Sequence, residues 1–556
     1  MAFALSEKSN YVVAIDFGTT YSGFAIAKNY PGAQIECNRW PIISEGRDWH
    51  KTPTCILFNE KLEFDSFGYK SEDKYADLQS RDEHENWYFF KCFKMKLKKE
   101  EEKLLKERNQ WELNDHTDTK KVNAIIVFKG AIEYMKNQAL SSIRENDRES
   151  DINESTISWM LTVPAIWSDV AKNFMRKAAE EAGIPRKKLT LVYEPEMAAV
   201  WFVNENKMEV PTGTKFILVD LGGGTIDITV QEVLQNNKIR QLIPAMGVAC
   251  GGTTLDECLT HTIEKKFANN IDMFRKNEPK KYVKHQRKIE FMKRSYGKSE
   301  GNFILHVSKK LSRSETDQPV TISEEEYKSF LAPVLEQIDN IIAEIEKIKI
   351  CKQVSHLVII GGFSVDARVK GYLLEKYQSK YTIITPGNPD LAVLNGAVLF
   401  GQHESLITER VCKCTYGFAV FKKFDETHKI EKKHQRGGVT MAKDCFKVVF
   451  QKGERVTVDK SYKEIPVFDE FGTDRVVKRK EPIVIYIFSS EEENPQYTDD
   501  PYCKKLCEMK MYPPGGEWPS KVKGKVRFKV AGTEFEGELY DNQNNKQDEC
   551  VFDYLI

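Results

Sequence analysis

One short pattern occurs twice in this 556-residue chain, and it limits the possible folds more than any other feature. An apolar run ends in "DFGTT" at residues 16–20, and a second apolar run follows. The same order returns in "DLGGG" at residues 220–224, which is followed by "TIDITV". Each copy predicts a β-hairpin with a tip of small residues. The repetition predicts that the chain contains two related lobes.

The hairpin tips have the chemistry of a phosphate-binding site. Glycine allows a close approach of the backbone and a positive φ, and successive N–H groups at such turns form a nest for anions. Thr19, Thr20 and Thr225 add hydroxyl groups. Asp16 and Asp220 at the strand ends would repel a bare polyphosphate, but they become favourable when Mg²⁺ lies between them and binds through water. We therefore predict two facing hairpins that clamp the phosphates of a nucleotide.

The other glycine-rich stretches of the sequence are weaker evidence for phosphate binding than the pair of hairpins. A single hairpin of this kind is equally typical of an ordinary tight turn. The Walker pattern fails at Gly297-Lys298-Ser299, because Met292 occupies the place of its first glycine, and GxGxxG is not met. "VIIGGFSV" at residues 358–365 predicts a strand, two glycines and a helix start, which suits an anion or a nucleoside. A simple strand-to-helix turn is the alternative for that stretch.

The hydrophobic pattern divides the chain into two parts. From residue 11 to about 405, strand-like runs alternate with helical ones, which predicts an α/β unit. The stretch 402–411 resembles a junction, and beyond it runs with period two predict an all-β unit. The dense charge run at residues 94–111 predicts a solvated helix or insertion, with a partner surface as the alternative.

Composition excludes several classes of function. Lys plus Arg and Asp plus Glu are both 83, so the net charge is zero and nothing favours nucleic acid. No run approaches the ~18 apolar residues of a membrane span, and the N-terminus does not resemble a secretory signal. The 12 cysteines are scattered, which predicts reduced thiols in an intracellular protein and no zinc site. We expect a cytoplasmic location, with the nucleus as a second one.

Further motifs occur in a fixed order and carry a family resemblance. They are "LTVPAIWSD", "LVYEPEMAAV", "CGGTTLDE", "IEFMKRSYG" and "NPDLAVLNGAVL". With the two hairpins and "VIIGGFSV", they make the chain resemble the 70-kDa heat-shock chaperones of the actin-like ATPase superfamily. "FFKCFKMKL", "YEPEMAAVWF" and the β-rich end resemble the heat-shock 70 kDa protein 12 subfamily.

The resemblance implies an architecture. It implies a two-lobed actin-like, duplicated ribonuclease H-like α/β fold at 1–405, followed by a smaller mostly-β domain at 412–556. Lobe I would cover about 10–205 and return at about 386–405, and lobe II would cover about 206–385. The β-domain would be substrate-binding-like without a helical lid.

The resemblance also implies roles for individual residues, with ATP or ADP and Mg²⁺ as cofactors. Asp16 and Asp220 would hold Mg²⁺ through water, and Glu194 would position the attacking water with the support of Asp227. Asp220 and Thr225 complete the predicted catalytic set. Pro164 would couple the nucleotide state to the outer surface. The remaining predicted nucleotide contacts are Gly18, Thr19, Thr20, Tyr21, Gly222, Gly223, Gly224, Gly251, Gly252, Glu290, Lys293, Arg294, Gly361, Gly362, Ser364 and Asp390.

Three departures from the family pattern weaken the expected activity. Glu72 occupies the slot of the catalytic lysine, so we expect a loss of positive charge at the γ-phosphate and a lower turnover, by ~10²–10³. Lys172 replaces a relay arginine, which exchanges a forked donor for a point charge. The third departure is that no stretch of this sequence resembles the family's acidic, leucine-rich interdomain linker or its acidic tail.

The sequence therefore predicts an ATP-binding, chaperone-like stress-response protein with slow hydrolysis, at most a weak ATPase. Lobe closure on Mg-ATP would modulate the C-terminal β-domain, through which client polypeptides or signalling proteins would bind. The alternative is a nucleotide-binding adaptor or scaffold with little or no ATPase activity. A small-molecule kinase on the same fold fits less well, because the connecting segments are of the chaperone type.

Overall fold

The computed structural model divides the chain into two compact units. The first comprises residues 1–239 and 245–406, and the second comprises 240–244 and 407–556. The residues that the structure describes are 10–30, 32–42, 47–99, 111–146, 153–206, 208–296, 301–436, 438–458, 462–470, 480–519, 521–531 and 534–553.

The first half of the first unit is built on a mixed sheet. Strand β1 pairs antiparallel with β2 and parallel with β12, in the order β13-β12-β1-β2-β3, with β6 also paired to β2. All seven residues of β1 are buried and all but Asp16 are hydrophobic, as expected for a strand covered on both faces. The strands are Tyr11–Phe17 (β1), Tyr21–Lys28 (β2), Glu36–Cys37 (β3), Trp40–Ile42 (β4), Arg47–Trp49 (β5), Thr52–Pro53 (β6), Cys55–Phe58 (β7), Phe64–Phe67 (β8), Tyr88–Lys91 (β9), Glu112–Asn114 (β10), Lys121–Asn123 (β11), Ile157–Val163 (β12) and Leu189–Tyr193 (β13). The helices are Tyr69–Ser80 (α1), Lys96–Lys99 (α2), Ala124–Asn146 (α3), Asp169–Glu181 (α4) and Glu194–Glu205 (α5).

The second half repeats this topology. Strand β14 pairs antiparallel with β15 and parallel with β19, in the order β20-β19-β14-β15-β16. The strands are Lys215–Leu221 (β14), Ile226–Val233 (β15), Ile239–Val248 (β16), Phe303–Val307 (β17), Gln318–Ile322 (β18), His356–Ile360 (β19) and Thr382–Ile384 (β20). The helices are Gly252–Lys266 (α6), Ala268–Asn277 (α7), Pro279–Tyr296 (α8), Lys309–Ser312 (α9), Glu324–Lys347 (α10), Ala367–Tyr377 (α11) and Ala392–Gln402 (α12).

Local capping explains where the predicted helices begin. The Ser168 hydroxyl accepts from Ala171 N–H at 3.4 Å at the start of α4, and the Ser323 hydroxyl accepts from Glu326 N–H at 3.1 Å at the start of α10. Helix α12 packs on α5, and a Cβ at Gly396 would collide with the carbonyl of Met197. Only glycine permits this approach, which joins the chain's return segment to the first sheet.

The second unit is formed by strands. One sheet has the order β23-β24-β22-β27-β28 and another has the order β26-β29-β30-β31. Helical structure in the described part beyond residue 406 is limited to short 3₁₀ turns. The strands are Ile407–Val411 (β21), Thr415–Lys423 (β22), Lys433–Arg436 (β23), Val439–Phe450 (β24), Arg455–Thr457 (β25), Tyr462–Glu470 (β26), Ile483–Ser490 (β27), Cys503–Met511 (β28), Lys521–Ala531 (β29), Glu534–Asp541 (β30) and Lys546–Asp553 (β31).

The charge run at residues 94–111 differs from its prediction where the structure describes it. Residues 96–99 form α2, and residues 100–110 lie outside the described residues. Lys94 is buried, with 1% of its surface exposed, so the expectation of a solvated segment is wrong at this residue. Of the helices in the described residues, none is both long and apolar enough to cross a membrane.

Candidate functional site

The two glycine hairpins meet tip to tip inside the first unit. A Cβ at Gly223 would collide with the side chain of Thr20, and a Cβ at Gly224 would collide with that of Thr19. Only glycine allows this approach. The first tip is held from below by Thr54, whose Oγ1 donates to the Gly18 carbonyl at 2.8 Å. The sequence repeat therefore forms one structural feature, which is a pair of facing loops at the ends of β1 and β14.

Asp16 lies at the end of β1 with both carboxylate oxygens engaged. Thr162 Oγ1 donates to its Oδ1 at 2.8 Å, and Lys51 Nζ donates to its Oδ2 at 2.5 Å. Burial by itself favours the protonated acid, but Lys51, Lys94 and Thr162 together outweigh it and lower the pKa of Asp16. Asp16 is therefore a carboxylate with a lysine already bound to it.

Asp220 occupies the equivalent place on β14, but its pKa shifts in the direction opposite to that of Asp16. Burial and the nearby carboxyl groups of Glu194, Asp227 and Asp16 raise its pKa well above the ordinary value. Asp227 is its cross-strand neighbour, and a Cβ at Gly361, which has a φ of 90°, would collide with Asp220 Oδ1. The site therefore concentrates carboxyl groups, and a bound cation would stabilise their ionised forms.

Glu194 begins α5 and points into the same cleft. Lys94 Nζ donates to its Oε1 at 2.6 Å. Burial, opposed by Lys94 and aided by Asp16 and Asp227, raises the pKa of Glu194 to about 7. A carboxyl group with a pKa near neutrality is suited to accept a proton from a water molecule.

Helix α8 supplies the side of the cleft that the sequence assigned to the nucleoside. Tyr21 OH donates to Glu290 Oε2 at 2.7 Å. Lys293 Nζ donates to Asp256 Oδ2 at 2.8 Å and to the Gly252 carbonyl at 3.2 Å. Glu290 and Lys293 therefore face the cleft together, as their spacing on one helix predicts.

Most of the residues singled out by the sequence line this one cleft. Asp227 and Gly251 are just outside it, and Ser364 is buried with its hydroxyl donating to the Gly361 carbonyl at 2.7 Å. The side chain of Arg294 lies outside the described residues. The lining residues among the predicted set are Asp16, Gly18, Thr19, Thr20, Tyr21, Glu194, Asp220, Gly222, Gly223, Gly224, Thr225, Gly252, Glu290, Lys293, Gly361, Gly362 and Asp390.

Gly251 and Ser364 support the cleft from behind. A Cβ at Gly251 would lie 2.7 Å from the Gly223 carbonyl oxygen, so this residue allows the start of α6 to pack on the second hairpin. The following residues reinforce this packing, because Gly252 N–H donates to the Gly222 carbonyl at 3.1 Å. Their positions indicate that they shape the loops.

Two lysines in the cleft were missed by the sequence analysis. Lys51 and Lys94 both line it. Phe93, whose ring lies 5.0 Å from that of Phe128 and 6.0 Å from that of Phe17, anchors the turn that carries Lys94. These two lysines bring positive charge to the cleft that the sequence analysis did not predict, whereas the expected loss of charge at the slot of Glu72 stays a prediction. The two lysines occur in the strings "KTP" and "FKMK", and neither string by itself indicates a buried lysine.

Glu72, which the resemblance places in the slot of the family's catalytic lysine, is not among the residues that line this cleft, but it lines an adjoining pocket with Thr19 and Thr20. Lys91 Nζ donates to its Oε1 at 2.8 Å, and Arg287 Nε donates to its Oε2 at 2.9 Å. Burial is outweighed by these two cations, so the pKa of Glu72 is lowered. Lys172, which the resemblance places at the position of a relay arginine, is buried and donates to Tyr193 OH at 3.1 Å, next to Glu194.

The donor set fits a hydrated Mg²⁺ bound with a nucleotide's phosphates. Within the described ranges, no group of three or more His, Cys, Asp or Glu side chains could hold a metal ion. Mg²⁺ usually keeps several waters and takes one or two carboxylates together with phosphate oxygens. Asp16 and Asp220 are such a pair, and the crowding that raises the pKa of Asp220 would be relieved by a cation.

The duplicated sheet topology, the facing glycine loops and the acidic cleft define a two-lobed actin-like nucleotide-binding unit. A family model described as "Hsp70 protein" matches residues 12–411. The chain belongs to the Hsp70 family, whose members bind nucleotide, generally with Mg²⁺. The predicted fold class is thereby confirmed.

Curated relatives narrow the likeness within that family. Heat shock 70 kDa protein 12A from Mus musculus and from Homo sapiens is 26% identical, over 99% of this chain and 93% of the relative. Heat shock 70 kDa protein 12B from Homo sapiens is 24% identical, over 98% of this chain and 91% of the relative. A chaperone protein HscA homolog from Rickettsia prowazekii is 26% identical, over 72% and 58%. The predicted resemblance to the protein 12 subfamily is confirmed.

Proposed function

We propose that the first unit binds ATP and ADP with Mg²⁺ between its facing hairpins, and that it hydrolyses ATP slowly. The contact of Thr19 and Thr20 with Gly224 and Gly223 supports this proposal most directly, because it makes a narrow polar slot that would fit a phosphate chain. Asp16 and Asp220 would hold Mg²⁺ through water. The metal ion would neutralise the charge that develops on the phosphates during transfer.

The chain's own residues would then perform the remaining steps. The hydroxyls of Thr19, Thr20 and Thr225 would donate to phosphate oxygens, and Glu194 would orient the attacking water and accept its proton. Lys94 would keep Glu194 ionised for this task and add positive charge near the phosphates. Movement of the two hairpins toward the nucleotide would then modulate the second unit, where client polypeptides or signalling proteins would bind.

The carboxylate pair offers the direct test. We expect D16N and D220N each to weaken Mg-ATP binding by ~10-fold, since each removes one ligand group for the hydrated cation. Asparagine preserves the shape of Asp220, whose pKa is raised by burial and by the neighbouring carboxyl groups. Isothermal titration calorimetry with the full chain measures the affinity.

The control is D272N, which changes a carboxylate whose side chain is 88% exposed. It should bind as the wild type does. Unchanged affinity in both D16N and D220N would reject the proposed site, and a wild type that takes up neither ATP nor ADP with Mg²⁺ would reject the proposed function.

One observation favours a second function, that of a nucleotide-binding adaptor with little hydrolysis. The resemblance places Glu72 where the family has its catalytic lysine, and its carboxylate is bound by Lys91 and Arg287. A single-turnover assay separates the two functions. Phosphate release that is faster than nucleotide exchange supports a working cycle, whereas nucleotide exchange that precedes any phosphate release supports an adaptor.

A further inference from the structure

Lys51 is built into the base of the first phosphate loop. It directly precedes β6, which pairs with the start of β2 through Thr52 opposite Ser22 and Pro53 opposite Tyr21. The Lys51 side chain is 18% exposed, and its Nζ lies 2.5 Å from Asp16 Oδ2. The ammonium group is therefore fixed at the carboxylate by the sheet itself.

This ammonium group is bound to Asp16 where that carboxylate lines the cleft. Oδ1 of Asp16 accepts a hydrogen bond from Thr162 and Oδ2 accepts one from Lys51, so both carboxylate oxygens already have a partner within the protein. A hydrated Mg²⁺ at Asp16 would have to share or displace this lysine. Asp220 differs, because no basic side chain in the described parts of the chain forms an ion pair with it.

The lysine also has donors to spare. An ammonium group carries three N–H bonds, and the contact with Asp16 uses one of them. Lys51 lines the same cleft as Gly18, Thr19 and Thr20, so its remaining donors can reach phosphate oxygens there. Lysine binds phosphate as a point charge, which is part of what a divalent cation does for a polyphosphate. Lys94 adds a second positive charge in the same cleft.

We propose that Lys51 is a tethered cation that lets this chain bind ADP and ATP without a divalent metal ion. The proposal rests on the nucleotide site described above and specifies how that site neutralises the phosphates. Mg²⁺ then strengthens binding through Asp220 and a shared Asp16, but it is not required for binding. Hydrolysis, unlike binding, still requires positive charge at the γ-phosphate in the transition state.

The decisive measurement needs only the wild-type full chain. ADP and ATP are titrated by calorimetry in Mg²⁺ and again in excess EDTA. We expect the two affinities to agree within ~10-fold, because the resident lysine replaces much of the metal's electrostatic contribution. A wild type that binds with Mg²⁺ but loses ~100-fold or more in EDTA overturns the proposal and leaves the nucleotide site intact. No binding in either buffer means that the proposed function itself has failed.

Variants of Lys51 test whether this residue is the cation. K51M should lose ~100-fold or more in EDTA and recover to within ~10-fold of the wild type in Mg²⁺, and K51R should retain metal-free binding because it retains the charge. K74M is the matched control, since Lys74 is 47% exposed and pairs with Asp65 outside the cleft. Recovery in Mg²⁺ also demonstrates that K51M is folded. If K51M binds as tightly as the wild type in EDTA, the assignment to Lys51 is wrong.

Discussion

At the scale of single residues, the contact between Lys94 and Glu194 links the chemistry to the fold. Lys94 Nζ lies 2.6 Å from Glu194 Oε1 and 5.2 Å from the centre of the Trp167 ring. Burial drives the pKa of Glu194 up to about 7, and Lys94 is the main group that opposes this rise. Without the lysine, Glu194 would be a neutral acid at physiological pH and would not accept a proton.

We therefore expect K94M to reduce the single-turnover rate of ATP hydrolysis by ~10²-fold or more and to change ATP affinity by less than ~10-fold. The pH at which the rate reaches half its maximum should also move upward, because the pKa of Glu194 rises when its cationic partner is lost. K94R should recover much of the rate. A K94M variant with the wild-type rate and pH profile would show that Lys94 does not act through Glu194.

At the scale of secondary structure, the sequence predicted what depends on local pattern. Strand β1 matches "YVVAIDF", β19 matches "HLVII", and the Ser323 cap begins α10 as the capping box predicts. The two lysines escaped prediction because their roles depend on distant contacts. Lys51 is placed by the pairing of β6 with β2, and Lys94 by the left-handed turn at Cys92, φ 51°, and the aromatic packing of Phe93.

Helix α8 contains a buried histidine that makes the first unit sensitive to acid. Burial, aided by Lys288, lowers the pKa of His285 to about 4. A group whose pKa is depressed on folding contributes stability above its unfolded value of ~6.5, and this stability is lost as the pH falls toward the folded pKa. Between pH 7.5 and 5, the unfolded chain takes up a proton that the folded one excludes. This uptake costs about 2 kcal/mol of unfolding free energy.

We expect H285F to lose about 2 kcal/mol less than the wild type between these pH values in denaturant unfolding of the first unit. Phenylalanine suits the site, because the ring of His285 already packs edge-on against Phe274, with 6.5 Å between ring centres. H306F is the control, since His306 is exposed on β17. An identical loss of stability in wild type and H285F would mean that this histidine is not the acid-sensitive group.

At the scale of the whole molecule, the duplicated topology explains why one sequence repeat predicted so much. The orders β13-β12-β1-β2-β3 and β20-β19-β14-β15-β16 place the two hairpins at equivalent strand ends. Two matching loops therefore identify both halves of the site at once. The second unit offers no such repeat, so the sequence predicted its strands but not a binding surface.

Strand β16 is the element through which nucleotide binding would reach the second unit. Its residues 240–244 group with the second unit, and the chain that follows it continues to Gly252 and Thr253. These two residues donate to the carbonyls of Gly222 and Gly223 at 3.1 and 2.9 Å, so we expect that a shift of the second hairpin on phosphate binding would act on β16 through the backbone. A chaperone-like cycle needs such a connection, and an adaptor that uses the nucleotide only for stability does not.

Hydrogen–deuterium exchange on the full chain tests this connection. We expect ATP, compared with ADP, to change protection in peptides that cover 240–244 and 407–411, because a displaced β16 alters the exchange of the backbone groups around it. D220N should abolish the difference, whereas D272N should leave it unchanged. If ATP alters protection only within residues 10–239 and 245–406, the nucleotide signal ends in the first unit, and the adaptor function accounts for the chain better than a nucleotide-gated cycle.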